Sequence, residues 1–504
     1  MTKKFVLFIL TVGIVFRLIL SHDYNFIFNM DNARDMVDVR EMMELKKPRL
    51  IGPTTAIEGF YNGPGWYYLL SVPYFLTEGD PYGSILMEIM LWAIGGYFLL
   101  ILVNKYYGIL ALLAVSIIWI ASNFILLATQ YAFNPNPVLL LTPAFIFYLI
   151  KYLESGKLKY SLIIWFLTGI FLHFEIAAAL FLPLVIVANV LLGKHGNYLK
   201  SRAFGWGLVA FSFTLLPQIL FDLKNNFQLS KSLLLYKSGT HGSVDLNPLS
   251  RLIQIWQSFY DTFLPTLMNF QTFQNVIVIL FGICLGMVIF KKQKIELLTQ
   301  ICLSMLGIFV LLNIPLRVDL MRWHLNAILI SAIILIGFTI SYLGRINFPG
   351  KLTAFLLVVT LFGFALGNVK DYIMMVQKGD PGNSIINNEL SAIDYTYQEA
   401  GGKNFKVYTY LPSVIDYPYQ YLYWWRGLKT YGYLPEDYAY LPNKPEYIRN
   451  KARLDTGNHP DSSELTFLIK EPEDGRRHLW ENSFKHLELL KIATFGAITV
   501  ETRR

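Results

Sequence analysis

Apolar stretches about as long as a bilayer is thick recur along most of this chain, and they leave it few ways to fold. A spanning helix needs ~20 mostly apolar residues. Read with that window, the sequence holds about eleven candidate spans. They fall at 4–21, 82–103, 108–128, 136–153, 160–174, 175–192, 203–221, 272–290, 297–314, 324–343 and 351–369. Hydrophobic residues make up 54% of the 504 and charged residues only 15%, so much apolar surface must face lipid. The reading is a polytopic α-helical membrane protein. Cys284 and Cys302 sit inside apolar runs and suit small core positions rather than a disulfide framework or a zinc site.

Residues Phe5 to Leu20 follow Lys3-Lys4 like a signal peptide, but Ser21-His22-Asp23 makes a poor cleavage site, so this is read as a retained first helix. With the N-terminus in the cytoplasm, the inner loops carry Lys105, Lys157, Lys159, Lys194, Lys200, Arg202, Lys291, Lys292, Lys294, Arg345 and Lys351. The short loop 129–135 has no Lys or Arg, whereas 315–323 has Arg317 and Arg322. This positive-inside bias accounts for much of the net charge of +8, and no nucleic-acid partner is expected. It places 22–81, 222–271 and the tail outside a plasma (inner) membrane. The expected division is a transmembrane part, 1–370, with a long first outer loop, 22–81, and an extracytoplasmic α+β domain, 371–504. In that domain 384–400 reads as a helix capped by Asn383 or Ser384 and stopped by Gly401-Gly402. Residues 405–411, 465–470, 487–495 and 497–503 read as strands.

Ionisable groups near a span are costly unless they reach a cavity or the interface. Here they gather at the outer ends. The first loop opens with Asp31-Asn32-Ala33-Arg34-Asp35 and continues as an amphipathic stretch to Lys46, suited to lying on the bilayer. Glu58, Tyr61, Trp66, Tyr67 and Tyr68 follow around Gly63-Pro64-Gly65, and 65–77 is expected to lie in the interface or dip into it. Other outer ends carry Asn134, His173, Glu175, Asp222, Lys224, Arg317, Arg322 and His324. Glu88 is expected to pair inside the bundle. One-sided clustering of this kind suits a reaction site at the outer boundary. Asp31, just before a helix that could fix it, is the candidate general base. Arg17, Lys224, Arg317, Arg322 and His324 are candidates to hold a phosphate. Arg34, Asp35, Glu58, Tyr61, Trp66, Tyr67, Asn134, His173, Glu175 and Asp222 are candidates to line the substrate site. Plainer readings stand beside these: Asp31 as a helix cap, the arginines as snorkelling anchors, His173 with Glu175 as a helix–helix hydrogen bond, and Trp66 to Tyr68 as an aromatic belt. Tyr417 to Trp425 reads as domain core or as a docking face.

The series Arg17, Asp31-Asn32-Ala33-Arg34-Asp35, Gly63-Pro64-Gly65-Trp66-Tyr67-Tyr68, Phe133-Asn134-Pro135-Asn136, Leu172-His173-Phe174 and Leu216 to Asn225 resembles the PMT-like membrane glycosyltransferases. That family has the GT-C fold and includes protein mannosyltransferases and the lipid A aminoarabinose transferase. The resemblance covers roughly 1–370. It implies an inverting transfer of a sugar from a polyprenyl-phosphate donor to an acceptor on protein, lipid or glycan, with Asp31 as base. Asn32 stands where relatives often have a second acid, and Asn134 where some have Asp. No cofactor is expected; Asp31 with Asp35 is the pair that could hold a divalent metal. The competing class is a transporter or flippase of lipid-linked sugars, which favours polar or broken helices near mid-membrane and inverted repeats; here the charges gather at one face and no such repeat is visible.

Overall fold

The computed structural model describes residues 2–237, 247–267, 271–315, 320–378, 385–411, 413, 415–442, 447–448, 450–472 and 475–504. Helices dominate. They run α1 (Thr2–Leu20), α2 (Met30–Glu44), α3 (Gly65–Leu76), α4 (Tyr82–Tyr107), α5 (Ile109–Ala121), α6 (Asn123–Leu127), α7 (Asn136–Ser155), α8 (Leu158–Phe174), α9 (Ile176–Ala179), α10 (Leu182–Leu192), α11 (Arg202–Thr214) and α12 (Leu216–Lys224). Then follow α13 (Gln228–Lys237), α14 (Pro248–Leu267), α15 (Gln271–Phe290), α16 (Leu297–Asn313), α17 (Asn326–Arg345) and α18 (Phe348–Lys378). Among the described residues, four helices are long and apolar enough to cross a membrane: Tyr82–Tyr107, Asn136–Ser155, Arg322–Arg345 and Phe348–Gln377. A fifth is added if the pair Arg202–Thr214 and Leu216–Lys224, bent by 48°, counts as one span.

Burial separates the core from the lipid-facing shell. Helix α17 is apolar nearly all round and buried along its length, as a central helix must be. It packs against α4, α5, α7, α15, α16 and α18. Helix α18 instead leaves Phe355, Leu356, Val359, Phe362 and Leu366 exposed, the outward face of a peripheral membrane helix. Helices α4 and α7 meet closely because Gly95 has no side chain: a Cβ there would lie 1.7 Å from the Leu140 carbonyl oxygen. Small residues at such contacts let two backbones approach.

The amphipathic stretch of the first loop does not lie on a bilayer. In α2, Met36, Val37, Val39 and Met42 are all buried, enclosed by α3 and by α20 (Tyr417–Leu422). The exposed apolar face belongs to α3, where Val72, Phe75 and Leu76 are open.

Past α18 the chain forms α19 (Ile386–Ala400), α20 and α21 (Arg477–Glu481), with strands β1 (Asn404–Tyr410), β2 (Asp437–Ala439), β3 (Ser462–Lys470), β4 (Leu489–Phe495) and β5 (Ile498–Arg503). Asn383 and Ser384 lie outside the described residues, and Gly401 ends α19 in the left-handed conformation, as its sequence suggests. The sheet order is β2-β1-β3-β5-β4. Strands β2, β1 and β3 are parallel, while β3–β5 and β5–β4 are antiparallel. Helix α19 packs on β3, β4 and β5. The tyrosine-rich run that follows β1 and the start of α19 join this layer to the first loop: the Tyr421 hydroxyl donates to the Gly79 carbonyl at 2.6 Å, Tyr24 meets Trp425, and Ile386 N–H bonds the Phe26 carbonyl at 3.1 Å.

Candidate active site at the start of the first loop

Asn29 caps α2, its side-chain oxygen accepting the Asp31 N–H at 3.1 Å. One turn on, the helix brings Asp31, Arg34 and Asp35 to one side. The Arg34 guanidinium reaches Asp31 at 3.2 Å and Asp35 at 2.9 Å. Asp35 is fully buried and its second oxygen accepts the Trp66 indole N–H at 2.8 Å. Burial pushes the Asp35 carboxyl up to about 6, against the pull of Arg34 and Trp66. Asp31 differs: its side chain is 36% exposed, so it is the member of this trio open to a ligand. Helix α3 fixes the rest of α2, Tyr67 donating to Asp38 at 2.8 Å and Tyr74 to Glu44 at 2.8 Å. Arg49 adds an ion pair to Asp38 at 2.7 Å.

An aromatic path leads away from this acid. The Tyr131 hydroxyl donates to the same Asn29 oxygen at 3.2 Å. Tyr131 stacks on Phe133 at 5.1 Å between centroids, and Phe133 meets Trp323 edge-on at 5.7 Å. Trp323 lies in the turn that opens α17. Below that turn an apolar groove of about 250 Å³ runs between α14, α15, α16 and α17, lined by Ile255, Phe259, Phe281, Phe309, Ile328 and Leu335 among others. Arg251, buried on α14 one residue before the groove-lining Leu252, donates to the Asn313 carbonyl at 3.2 Å. The arrangement therefore joins an open carboxylate, a set of aromatic faces and an apolar trough.

The other sequence candidates divide. Arg322 is exposed in the turn before α17, and His324, beside it, is buried with Nδ1 accepting the Met321 N–H at 3.2 Å. Tyr61 meets Phe221 edge-on at 6.2 Å, with Glu58 exposed in the same loop. Lys224 is exposed at the end of α12, while Asp222 caps the next helix, accepting from Leu229 N–H at 2.7 Å and the Ser230 hydroxyl at 2.6 Å. Asn134 holds the Phe174 carbonyl at 2.6 Å. Glu175 caps α9 and is buried. Arg317 lies outside the described residues.

Three readings need correction. Arg17 is wholly buried rather than facing a phosphate: it donates to Thr129 and to the carbonyls of Gly13, Trp119 and Ile120, and lies 3.7 Å over the Trp92 ring. His173 does not line an open site but bonds between helices, as its plainer reading has it: its Nδ1 accepts the Gly65 N–H of α3 at 3.1 Å and its Nε2 meets the Thr214 carbonyl of α11 at 2.7 Å. Trp66 and Tyr67 are buried and engaged with Asp35 and Asp38, so neither offers a face to sugar or lipid. Glu88 is buried inside the bundle beside the Asn136 side chain and the Phe133 backbone, which interact with its carboxyl. Sequence reasoning also passed over Asn29, Tyr131, Trp323 and the whole of α14. The helical spacing of Leu252, Ile255, Trp256 and Phe259 is the signal that could have marked α14 as a groove wall rather than loop.

Fold and site together define a multi-pass helical membrane protein with charged and aromatic groups gathered at one face. No family model matches the sequence. No curated protein matches it either. Its fold is similar to that of ArnT. A crystal structure of ArnT from Cupriavidus metallidurans bound to undecaprenyl phosphate is similar over 100% of this chain and 98% of its own, with TM-score 0.64 and 12% identity. The apo form of that protein gives TM-score 0.57 and 13% identity, over 99% of this chain and 98% of its own. At this identity the likeness is one of fold.

Proposed function

We propose that this chain is a multi-pass inner-membrane glycosyltransferase that moves a sugar from a polyprenyl-phosphate donor to an acceptor nucleophile. In this reading the shorter apolar helices complete about eleven spans. The N-terminus is cytoplasmic, and the α2 face and the domain from residue 371 onward are extracytoplasmic. The observation that carries it is the chain of contacts from the Asp31 backbone through Asn29, Tyr131 and Phe133 to Trp323, in the turn that opens α17, a helix that further on walls the apolar groove, on a fold shared with a protein crystallised with undecaprenyl phosphate.

The prenyl chain occupies the groove, and its phosphate lies at the mouth near Arg322. The sugar passes over the faces of Tyr131, Phe133 and Trp323, which suit the apolar faces of a pyranose. Asp31 takes the proton from the acceptor as that atom attacks the anomeric carbon. The bond from that carbon to the phosphate oxygen breaks, with its electron pair leaving on polyprenyl phosphate, and the configuration inverts. Arg322 balances the charge that develops on the leaving group, while Arg34, in contact with Asp31, stays on the side of the base and orients it. Asp35 and Trp66 hold Arg34 in position and touch no reacting atom. The reading assigns no cofactor.

The test is transfer from a radiolabelled polyprenyl-phosphate sugar by purified full-length protein. Asp31→Asn, similar in shape, is expected to fold, to retain donor binding and to lose about 10²–10⁴-fold in rate. Equal rates for variant and wild type would remove Asp31 from the chemistry. Donor that crosses a vesicle bilayer without sugar transfer would instead point to a flippase.

A further inference from the structure

The apolar groove beside α14 stops part-way through the membrane. Its lining on α17 falls at Ile328, Ala332, Leu335 and Thr339, the spacing of one helix face. That stretch is about 16 Å long at about 1.5 Å per residue, about half of a hydrocarbon core of ~30 Å. The seam between α15 and α17 continues beyond it, but into a separate cavity of about 70 Å³ that Leu285, Val288 and Tyr342 help to line.

Two aromatic rings stand between the groove and that inner cavity. Phe281, from the lining of the groove, and Phe338, from the lining of the inner cavity, meet edge-on at 6.4 Å between centroids. Phe338 is backed by Tyr107 of α4, edge-on at 6.0 Å, and by Tyr342 at 6.1 Å. The Tyr107 hydroxyl is in turn tied to Thr299 of α16 at 2.8 Å. Phe338 is therefore fixed, and Phe281, half-buried, is the ring laid against it. The hydroxyl next in the chain, that of Thr339, donates back to the Leu335 carbonyl at 2.9 Å, so the floor is hydrocarbon.

An isoprene unit adds four carbon–carbon bonds of about 1.5 Å each, about 5 Å of extended chain. The groove thus has room for about three units. A hydrocarbon tail gains nothing by exchanging lipid for an apolar wall except where packing is close, so only the enclosed part of a carrier distinguishes it from another. We propose that the Phe281–Phe338 pair sets how much of the carrier this protein reads: about three isoprene units next to the phosphate lie in the groove, and the rest turns out into the bilayer at the floor and adds no affinity. Given the prenyl tail in the groove, on which this rests, carriers of any total length are equivalent once they fill it, and Phe281 is the specificity-determining residue.

The test is binding, so it needs no sugar transfer. Purified full-length protein in lipid nanodiscs is titrated with polyprenyl phosphates of one, three, five and eleven units, each present in the membrane at the same mole fraction. Affinity is expected to rise from one unit to three and to stay within twofold from three to eleven. Phe281→Ala opens the floor, so the five-unit phosphate should then bind about threefold better than the three-unit one, the worth of several new carbon contacts. Phe281→Leu, a smaller change, should move the plateau the same way by less. Affinity that keeps rising to eleven units in the wild type, or a plateau left in place by both substitutions, overturns the ruler while leaving the groove as the tail's site. No saturable binding of any of the four overturns both.

Discussion

The indole N–H of Trp66 donates to one oxygen of Asp35 at 2.8 Å while Arg34 holds the other oxygen at 2.9 Å. A buried carboxylate is thus shared between a neutral donor and a cation, and the cation also reaches Asp31. The Asp35 carboxyl is raised from 3.8 to about 6, chiefly by burial. The folded state therefore binds this proton more readily than the unfolded chain does. The contribution of Asp35 to stability is greatest below the unfolded value, falls as pH rises from 3.8 to about 6, and is flat above that. Melting curves of wild type and Asp35→Asn across this range should differ by that slope. Transfer, in contrast, should decline below pH about 6, where protonated Asp35 releases Arg34. A rate profile flat from pH 5 to 7 would show that the pair does not hold the site.

Arg17 predicts a stability effect without a substrate effect. Its guanidinium satisfies the carbonyls of Trp119 and Ile120, which α1 brings to it from the end of α5. Arg17→Met removes those donors from a buried place, at about 1–3 kcal/mol for each carbonyl left alone. Thermal unfolding in detergent should fall by several degrees, and the KM for the donor should stay where it is. A raised donor KM in a stably folded variant would restore Arg17 as a phosphate ligand.

Gly63 and His173 should behave as a coupled pair. A Cβ on Gly63 would fall 2.4 Å from the His173 ring nitrogen, and one on Gly65 2.9 Å from the His173 Cβ. Gly63→Ala therefore forces the ring aside, with loss of about 1–3 kcal/mol as for other overpacked sites. Combined with His173→Ala, the loss should be smaller than the sum of the two single changes. Strict additivity in a thermal double-mutant cycle would refute the contact.

The groove makes a prediction about chain length. Ala332 lines it and is buried, so Ala332→Trp should fill space needed by the prenyl tail. Loss of two carbons of buried contact, at about 0.8 kcal/mol each, corresponds to a KM increase of about tenfold for long-chain donors. Donors with a single isoprene unit should be affected little. Equal effects on both would place the tail elsewhere.

Much of the helical framework was legible because a bilayer imposes one strong rule, a run of apolar residues of fixed length. Even the strands at 405–411 and 465–470 showed in their alternation and β-branched content. The chemistry was harder to read. Arg17 and Arg322 look alike as arginines near span ends, yet one is sealed among carbonyls and the other is exposed. That difference comes from which helix packs opposite, which a single sequence does not encode locally. Likewise α2 has the pattern of a surface helix, because burial against a distant part of the chain produces the same periodicity as burial in lipid. Trp323 carried no signal beyond its type; its place in the aromatic path depends on a contact with Phe133, 190 positions earlier in the chain.

The cover over α2 has a consequence for biogenesis. Its apolar side is closed by α20 and its Arg40 lies 5.0 Å from the Trp424 ring, so α2 cannot bury that side until α20, far along the chain, has been made. Membrane insertion can proceed span by span, but the native cover over α2 forms only when its distant partner arrives.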